Sequence, residues 1–130
     1  MADGAAPRNA IDRYYGAMRV GADAEVEMMS LFADDAVYAE PFSGRDEPAV
    51  GKESIRERMQ AGWAAPLPNL ELDVLSVELT GDAAVCTWEC RSSAFPAPVL
   101  GRDEYTFADG LITSLVVTIT SEPPGELRPG

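Results

Sequence analysis

The chain has 130 residues, of which 46% are hydrophobic and 25% charged, a composition typical of one globular domain. Its 22 acidic residues outnumber 10 basic ones, and the net charge of −12 opposes binding to nucleic acid and to anionic lipid surfaces. The absence of histidine excludes Ser-His-Asp and Cys-His catalysis and histidine-rich zinc sites, so acid–base chemistry falls to carboxylates and tyrosines.

The hydropathy and the ends of the chain predict its organisation. No apolar run approaches the ~18 to 20 residues that a membrane helix needs. The segment Met1 to Asn9 lacks the basic and apolar regions of a secretory signal, so we expect a cytoplasmic protein. We predict a flexible N-terminus over 1–9, one α+β domain over 10–120 and a disordered tail over 121–130.

Three helices are predicted in the first half of the chain. The first spans 10–21 behind the candidate cap Asn9, and the second begins at the candidate cap Asp23 and ends before the aspartate pair 34–35. The third spans 52–62. Their predicted buried stripes are Ile11, Tyr14, Tyr15 and Met18; Val26, Met29 and Phe32; and Ile55, Met59 and Trp63.

Extended segments surround and follow the third helix. A brief strand over 36–40 ends at Glu40, which Pro41 directs toward β geometry, and a polar loop spans 42–50. From Leu70 the apolar period is two, and its slip at Val74-Leu75 indicates a β-bulge.

Three further strands complete the predicted sheet, over 84–93, 101–107 and 111–120. The last two are joined by a turn containing Asp109-Gly110, a strong hairpin signal. Helices followed by antiparallel strands indicate an α+β fold, in which three helices pack on the concave face of a strongly bent mixed or antiparallel sheet. Such a fold leaves a pocket at the open end of the sheet.

The two cysteines are predicted to be free thiols. Cys86 and Cys90 lie in one alternating segment, where strand geometry separates their Cα atoms by about 13 Å. A disulfide requires less than about 7 Å. Their spacing is also not that of a zinc or redox motif, so no metal site is expected.

Three polar side chains lie where this fold could use them. Tyr14 is on the apolar face of the first helix, Glu40 is at the end of the first strand, and Asp103 shares a strand face with Tyr105 and Phe107. Each also has a purely structural interpretation: a core phenol, a solvated carboxylate and a surface ion pair, respectively.

The sequence resembles the ketosteroid isomerases of the nuclear transport factor 2-like superfamily. The resemblance covers about residues 8 to 120. It is carried by Ile11-Asp12-Arg13-Tyr14, Leu31-Phe32-Ala33-Asp34-Asp35-Ala36-Val37, Glu40-Pro41 with Gly51 and Ile55, and Asp103-x-Tyr105-x-Phe107. The Phe-Ala-Asp-Asp-Ala segment is shared by the wider superfamily, including SnoaL-like polyketide cyclases, and supports the cone-shaped fold more than one activity.

The resemblance implies roles for the three polar residues. Tyr14 and a protonated Asp103 would form an oxyanion hole, and Glu40 would carry a proton between two carbons. The implied reaction is a cofactor-free isomerisation that moves a C=C double bond into conjugation with a ketone, as in 3-oxo-Δ5-steroid Δ-isomerases. The substrate would be a small apolar-to-amphipathic carbonyl compound, and the protein would be a homodimer.

The sequence departs from the family pattern at Glu40, at Arg58 and in the charged loop 42–48, and the last two favour a more polar substrate. Glu40 replaces an aspartate, and the extra methylene moves its carboxylate by about 1 Å. Arg58 stands where the family has an aromatic residue; facing inward it would favour an anionic or oxygen-rich substrate, and facing solvent it would be ordinary helix surface. The other predicted lining residues are Phe32, Trp63, Trp88, Val116 and Thr118.

The same residues are compatible with three other functions. A SnoaL-like polyketide cyclase or pyran-forming enzyme could use the same carboxyl pair, with Glu40 deprotonating or Asp103 protonating the substrate. A non-catalytic small-molecule-binding module would leave Asp103 paired with Arg91 or Arg102. An epoxide hydrolase would need Arg102 to face inward, against the strand alternation.

Overall fold

The computed structural model describes residues 5–121. Its helices are α1 (Ala5–Val20), α2 (Glu25–Ser30) and α3 (Lys52–Trp63), with a 3-10 turn at Ala22–Ala24. Its strands are β1 (Phe32–Ala39), β2 (Ala49–Val50), β3 (Glu71–Thr80), β4 (Ala83–Arg91), β5 (Val99–Ala108) and β6 (Leu111–Ile119). None of the helices in this part of the chain is long and apolar enough to cross a membrane.

The strands form one open mixed sheet in the order β2-β1-β6-β5-β4-β3. All neighbours are antiparallel except β1 and β6, which are parallel. The predicted α+β architecture is confirmed.

Strand alternation decides which side chains face the helices. On β5, Asp103, Tyr105 and Phe107 are buried, whereas Glu104 and Thr106 are exposed, as the sequence predicts. On β4 the buried set is Ala84, Cys86 and Trp88, so the face containing Val85, Thr87, Glu89 and Arg91 is the outer one. The homodimer that the resemblance implies stays a prediction.

The first helix begins earlier than its periodicity indicates. α1 starts at Ala5, so Asn9 lies inside the helix and is not its cap. Pro7 lies in the first turn, where the missing N–H costs nothing and the fixed φ suits a helix. The predicted stripe is otherwise confirmed, since Ile11, Tyr14 and Tyr15 are buried.

The second helix differs more from its prediction. Asp23 lies in the 3-10 turn and does not cap α2, which begins at Glu25 without a side-chain cap. Val26 is 85% exposed, and the buried residues of α2 are Met28 and Met29. A helix of six residues has fewer than two turns, which is too short for the spacing of apolar residues to identify its buried face.

The first strand is longer than predicted. β1 begins at Phe32 and includes Asp34 and Asp35, which are both exposed. Its pairing with β6 shifts register between Phe32 and Val37, the segment that contains these two aspartates. Aspartates are tolerated there because they point to solvent. Val37 pairs with Val50 of β2, a two-residue strand that the polar composition of the loop concealed.

The remaining sheet signals are confirmed. The β3–β4 register shifts between Val74 and Ser76, which is the predicted bulge. The β5–β6 turn contains Asp109 at φ 54° and Gly110 at φ 79°, the left-handed conformations that this dipeptide favours. Cys86 and Cys90 are free thiols. The predicted tail lies outside the described residues, apart from Ser121.

Candidate active site

A buried carboxyl group lies at the centre of the sheet. Asp103 is only 2% exposed. The Tyr15 hydroxyl donates to its Oδ2 atom at 2.5 Å, and the Trp88 indole Nε1 donates to its Oδ1 atom at 2.9 Å. A third, longer contact of 3.4 Å comes from the hydroxyl of Tyr105. Both oxygens of a group that is costly to bury are therefore satisfied.

The sheet register places Trp88 beside Asp103. Trp88 is paired with Gly101 across β4 and β5, and Asp103 is two residues further along β5. A Cβ atom at position 101 would overlap the six-membered ring of Trp88. The indole therefore lies over the backbone of Gly101 and reaches diagonally to Asp103.

All four tyrosines of the chain are buried around this carboxyl: Tyr14, Tyr15, Tyr38 and Tyr105. The Tyr14 ring makes edge contacts with those of Tyr15 and Tyr105 at centroid distances of 5.2 and 5.9 Å. Burial raises the pKa of each of the four phenols. They are therefore protonated donors at neutral pH.

Burial also raises the pKa of Asp103 above its ordinary value. The hydrogen bonds from Tyr15, Trp88 and Tyr105 act in the opposite direction, because they stabilise the carboxylate. Cys86, directly opposite Asp103 on β4, has a thiol pKa of about 11, raised by burial and then by the carboxylate. The cluster around Asp103 thus combines the phenol donor of Tyr15 with a carboxyl group whose proton affinity is increased.

Glu40 lies outside this cluster in its own network. Its Oε1 atom accepts from the backbone N–H groups of Phe42 at 2.8 Å and Ser43 at 2.9 Å. Its Oε2 atom accepts from the Ser43 hydroxyl at 2.6 Å and from Arg58 Nη1 at 3.1 Å. The two charged side chains are 3% and 8% exposed. Arg58 therefore faces inward, and its charge is already paired with Glu40.

The predicted site residues separate into two groups. Asp103 and Trp88 meet in the cluster, but the shortest phenol hydrogen bond to Asp103 comes from Tyr15, the residue after the predicted Tyr14. Phe32 is fully buried against Tyr14, while Trp63 is half-buried at the end of α3. The sequence could have identified Tyr15 as well, since it lies in the same apolar stripe of α1 as Tyr14.

Two predicted lining residues are on the wrong face of the sheet. Val116 is paired with Glu104, and Thr118 with Arg102, so both lie on the outer face. Their neighbour Val117, paired with Asp103, is the buried one. Because side chains alternate between the two faces of a strand, an error of one residue places the predicted side chain on the opposite face.

The pairing predicted for a binding module is not present among residues 5–121. Arg91 pairs with Glu71, Asp73 and Glu89, and Arg102 is nearest to Glu104. Asp103 is thus free of both arginines.

Two surface grooves flank these groups. One of about 460 Å³ lies between α1 and β3, with Tyr15 among its lining residues. The other, of about 350 Å³, lies between α3 and the loop after β1, beside Arg58. Both volumes are within the usual range of small-molecule sites.

Comparison with known proteins identifies the family. The chain matches the SnoaL-like domain over residues 11–115. It belongs to the SnoaL-like family. No curated protein matches it.

Solved structures share the nuclear transport factor 2-like fold. A candidate ketosteroid isomerase from Kribbella flavida DSM 17836 is 20% identical, with a TM-score of 0.69 over 96% of this chain and 84% of that one. A candidate SnoaL-like polyketide cyclase from Jannaschia sp. CCS1 is 13% identical, with a TM-score of 0.73 over 88% and 85%. TerC, crystallised with polyporic acid, is 19% identical, with a TM-score of 0.72 over 89% and 92%.

Proposed function

We propose that this SnoaL-like protein catalyses cofactor-free ring closure of a polyketide-type carbonyl compound, with Asp103 as the acid–base group. The supporting observation is a buried carboxyl that holds hydrogen bonds from Tyr15 and Trp88 and whose pKa is raised by burial. Proton transfer is most efficient when the pKa of the catalytic group lies near the working pH. Burial moves Asp103 in that direction.

The reaction needs one proton to leave a carbon and return to an oxygen. Asp103, as a carboxylate, removes a proton from the carbon beside a substrate carbonyl. The enolate then attacks a second carbonyl carbon of the same molecule, so that one C–C bond forms and an alkoxide results. Protonated Asp103 returns the proton to that alkoxide, and the enzyme ends in its starting state.

Tyr15 supplies the donor that the enolate requires: once Asp103 has taken up the substrate proton, the single hydroxyl proton of Tyr15 turns from Oδ2 to the enolate oxygen. Its hydroxyl remains protonated at neutral pH because burial raises its pKa. A fixed donor in a site that excludes water stabilises a developing oxyanion by ~3 to 4 kcal/mol. Trp88 holds the other carboxyl oxygen and orients the group toward its substrate.

The network around Glu40 favours ring closure over double-bond isomerisation. An isomerase needs a carboxylate that moves between two carbons. Glu40 accepts hydrogen bonds from Phe42, Ser43 and Arg58 through both oxygens. Moving it would leave the buried Arg58 guanidinium without its counter-charge. Steroid isomerisation with Glu40 as the base is therefore the second candidate.

The substrate is proposed to be flat and largely apolar, with at least two carbonyl groups. The side chains around Asp103 are phenols, indole and aliphatic groups, which suit such a molecule. Arg58 gives no reason to expect an anionic substrate, because its charge is paired with Glu40. The neighbour named as a candidate polyketide cyclase supports the same substrate class.

Two assays test the proposal on wild type, Asp103→Asn and Glu40→Gln, with Glu104→Gln as the matched control. Glu104 is the exposed neighbour of Asp103 on β5. An aromatic β-keto ester able to close a ring is followed by chromatography and mass spectrometry. A β,γ-unsaturated 3-ketosteroid is followed by the absorbance of its conjugated product.

We expect ring closure by wild type and Glu104→Gln, and a loss of about 100-fold or more in Asp103→Asn. Ring closure that survives in Asp103→Asn would contradict the assignment of the acid–base group. Fast steroid isomerisation that collapses in Glu40→Gln would instead establish the second candidate.

A further inference from the structure

The loop between β1 and β2 is fastened at both of its ends by one buried ion pair. At its start, Glu40 accepts hydrogen bonds from the backbone of Phe42 and Ser43. At its far end, Arg58 Nη2 donates to the backbone carbonyl of Glu47 at 3.3 Å. The two fastening side chains are joined by their own hydrogen bond of 3.1 Å. The loop is therefore connected to α3 through the side chain of Arg58, directly at Glu47 and through Glu40 at its start.

Little else holds this segment. Residues 41–48 are all exposed and contain no regular secondary structure. Within residues 5–121, the hydrogen bonds that join the segment to its surroundings involve Glu40 or Arg58. A segment with few buried contacts opens at low cost in free energy.

The loop places one large apolar side chain over the Asp103 cluster. The ring of Phe42 lies 6.5 Å from that of Trp88, measured between centroids. Phe42 is 60% exposed, whereas Trp88 is 5% exposed. Seen from solvent, Phe42 thus covers Trp88, and Trp88 in turn covers Asp103, to which its indole nitrogen donates.

We propose that residues 41–48 form a lid over the Asp103 cluster, and that Glu40 and Arg58 are positioning residues that latch it. Opening the latch lifts Phe42 from Trp88 and admits the substrate beside the indole. This role depends on the proposed function only for the chemistry beneath the lid. It also explains why Glu40 and Arg58 are buried together, although neither reaches Asp103.

The test uses the fluorescence of Trp88. The chain has two tryptophans, so Trp63→Phe leaves Trp88 as the only one. In this background, Arg58→Met breaks the latch and Phe42→Ala removes the cover. Arg56→Met is the matched control, because Arg56 is on the same helix but pairs with Glu25 and Glu53. Accessibility of Trp88 is measured by acrylamide quenching.

We expect quenching of Trp88 to increase at least about twofold in Arg58→Met and Phe42→Ala, and to stay unchanged in Arg56→Met. Arg58→Lys, which keeps the charge, should restore part of the protection. Circular dichroism and urea unfolding identify any variant that fails to fold. Phe42→Ala keeps the proposal testable in that case, since an exposed side chain is not needed for folding.

Quenching that is the same in the parent and in folded Arg58→Met and Phe42→Ala would overturn the lid. So would a high quenching constant in the parent itself. If the protein turns over a substrate, Arg58→Met should change KM more than kcat, because the latch controls the entry of the substrate and not the proton transfer. Absence of turnover would count against the proposed function and leave the quenching result intact.

Discussion

Trp88 reaches Asp103 across the backbone of Gly101. The indole nitrogen donates to Oδ1 at 2.9 Å, although the strand register pairs Trp88 with Gly101 and Asp103 with Cys86. A side chain at position 101 would occupy the space that the indole takes. The glycine is therefore part of the site: it makes the diagonal hydrogen bond possible and holds one oxygen of the carboxyl in place.

Replacing Gly101 with alanine tests this relationship. The new Cβ atom overlaps the indole, so Trp88 must move away from Asp103 or the strands must separate. Overpacking of this kind costs about 1 to 3 kcal/mol, and we expect that decrease in the free energy of unfolding. Urea denaturation measures it, and the Trp88 emission should shift to longer wavelength.

Gly16→Ala is the matched control for that measurement. Gly16 lies within α1, and a Cβ atom at this position would meet no atom outside its own turn of the helix within 4 Å. Alanine is the better helix former by about 1 kcal/mol, so the control should be as stable as wild type or more stable. A Gly101→Ala protein that keeps wild-type stability and emission would show that the indole has no fixed place over the strand.

The two adjacent tyrosines of α1 should differ in their effect on activity. Tyr15→Phe removes the 2.5 Å hydrogen bond to Oδ2, whereas Tyr14→Phe leaves every hydrogen bond to Asp103 intact. Loss of an oxyanion donor costs about 100-fold to 1000-fold in kcat. We expect a loss in this range for Tyr15→Phe and a much smaller one for Tyr14→Phe.

Steady-state kinetics on whichever carbonyl substrate the protein turns over measures this difference, with circular dichroism as the check on folding. The reverse order would assign the donor role to Tyr14, as the family resemblance implies. Equal effects would mean that the phenols act as one packed unit around the carboxyl.

The stability of the protein should carry a pH dependence that comes from Asp103. Burial raises its pKa in the folded state above the unfolded value, which is about 3.9. The folded state then binds the proton more tightly than the unfolded state. The stabilisation of the folded state by this protonation is therefore complete below about pH 3.9, and it is lost as the pH rises through the pKa of Asp103 in the folded state.

The free energy of unfolding of wild type, minus that of Asp103→Asn, should therefore fall as the pH rises from 4 to 8. Each unit by which the pKa is raised corresponds to about 1.4 kcal/mol. Urea unfolding of both proteins at several pH values measures the difference. A difference that is flat, or that grows with pH, would mean that the hydrogen bonds from Tyr15 and Trp88 outweigh burial.

Local patterns predicted most of the secondary structure. The helical stripe of α1, the bulge in β3 and the Asp109-Gly110 hairpin turn are short-range features, set by residues a few positions apart. The alternation along β5 likewise placed Asp103 on the buried face. Patterns failed where elements were short: α2 has six residues and β2 has two, too few for a period to be read.

The roles of the candidate site residues depended on contacts between distant segments. Tyr15 and Asp103 are 88 residues apart, and Glu40 and Arg58 are 18 apart. No local pattern shows that the first pair meets in the core or that the second pair satisfies both charges near the loop. The sequence by itself determined the fold class and the strand face that Asp103 shares with Tyr105 and Phe107, because both follow from the periodicity of apolar residues. Only the tertiary structure decided which phenol serves that carboxyl and that Glu40 is held by Arg58, because hydrogen bonds require partners brought together by the packing of helices on the sheet.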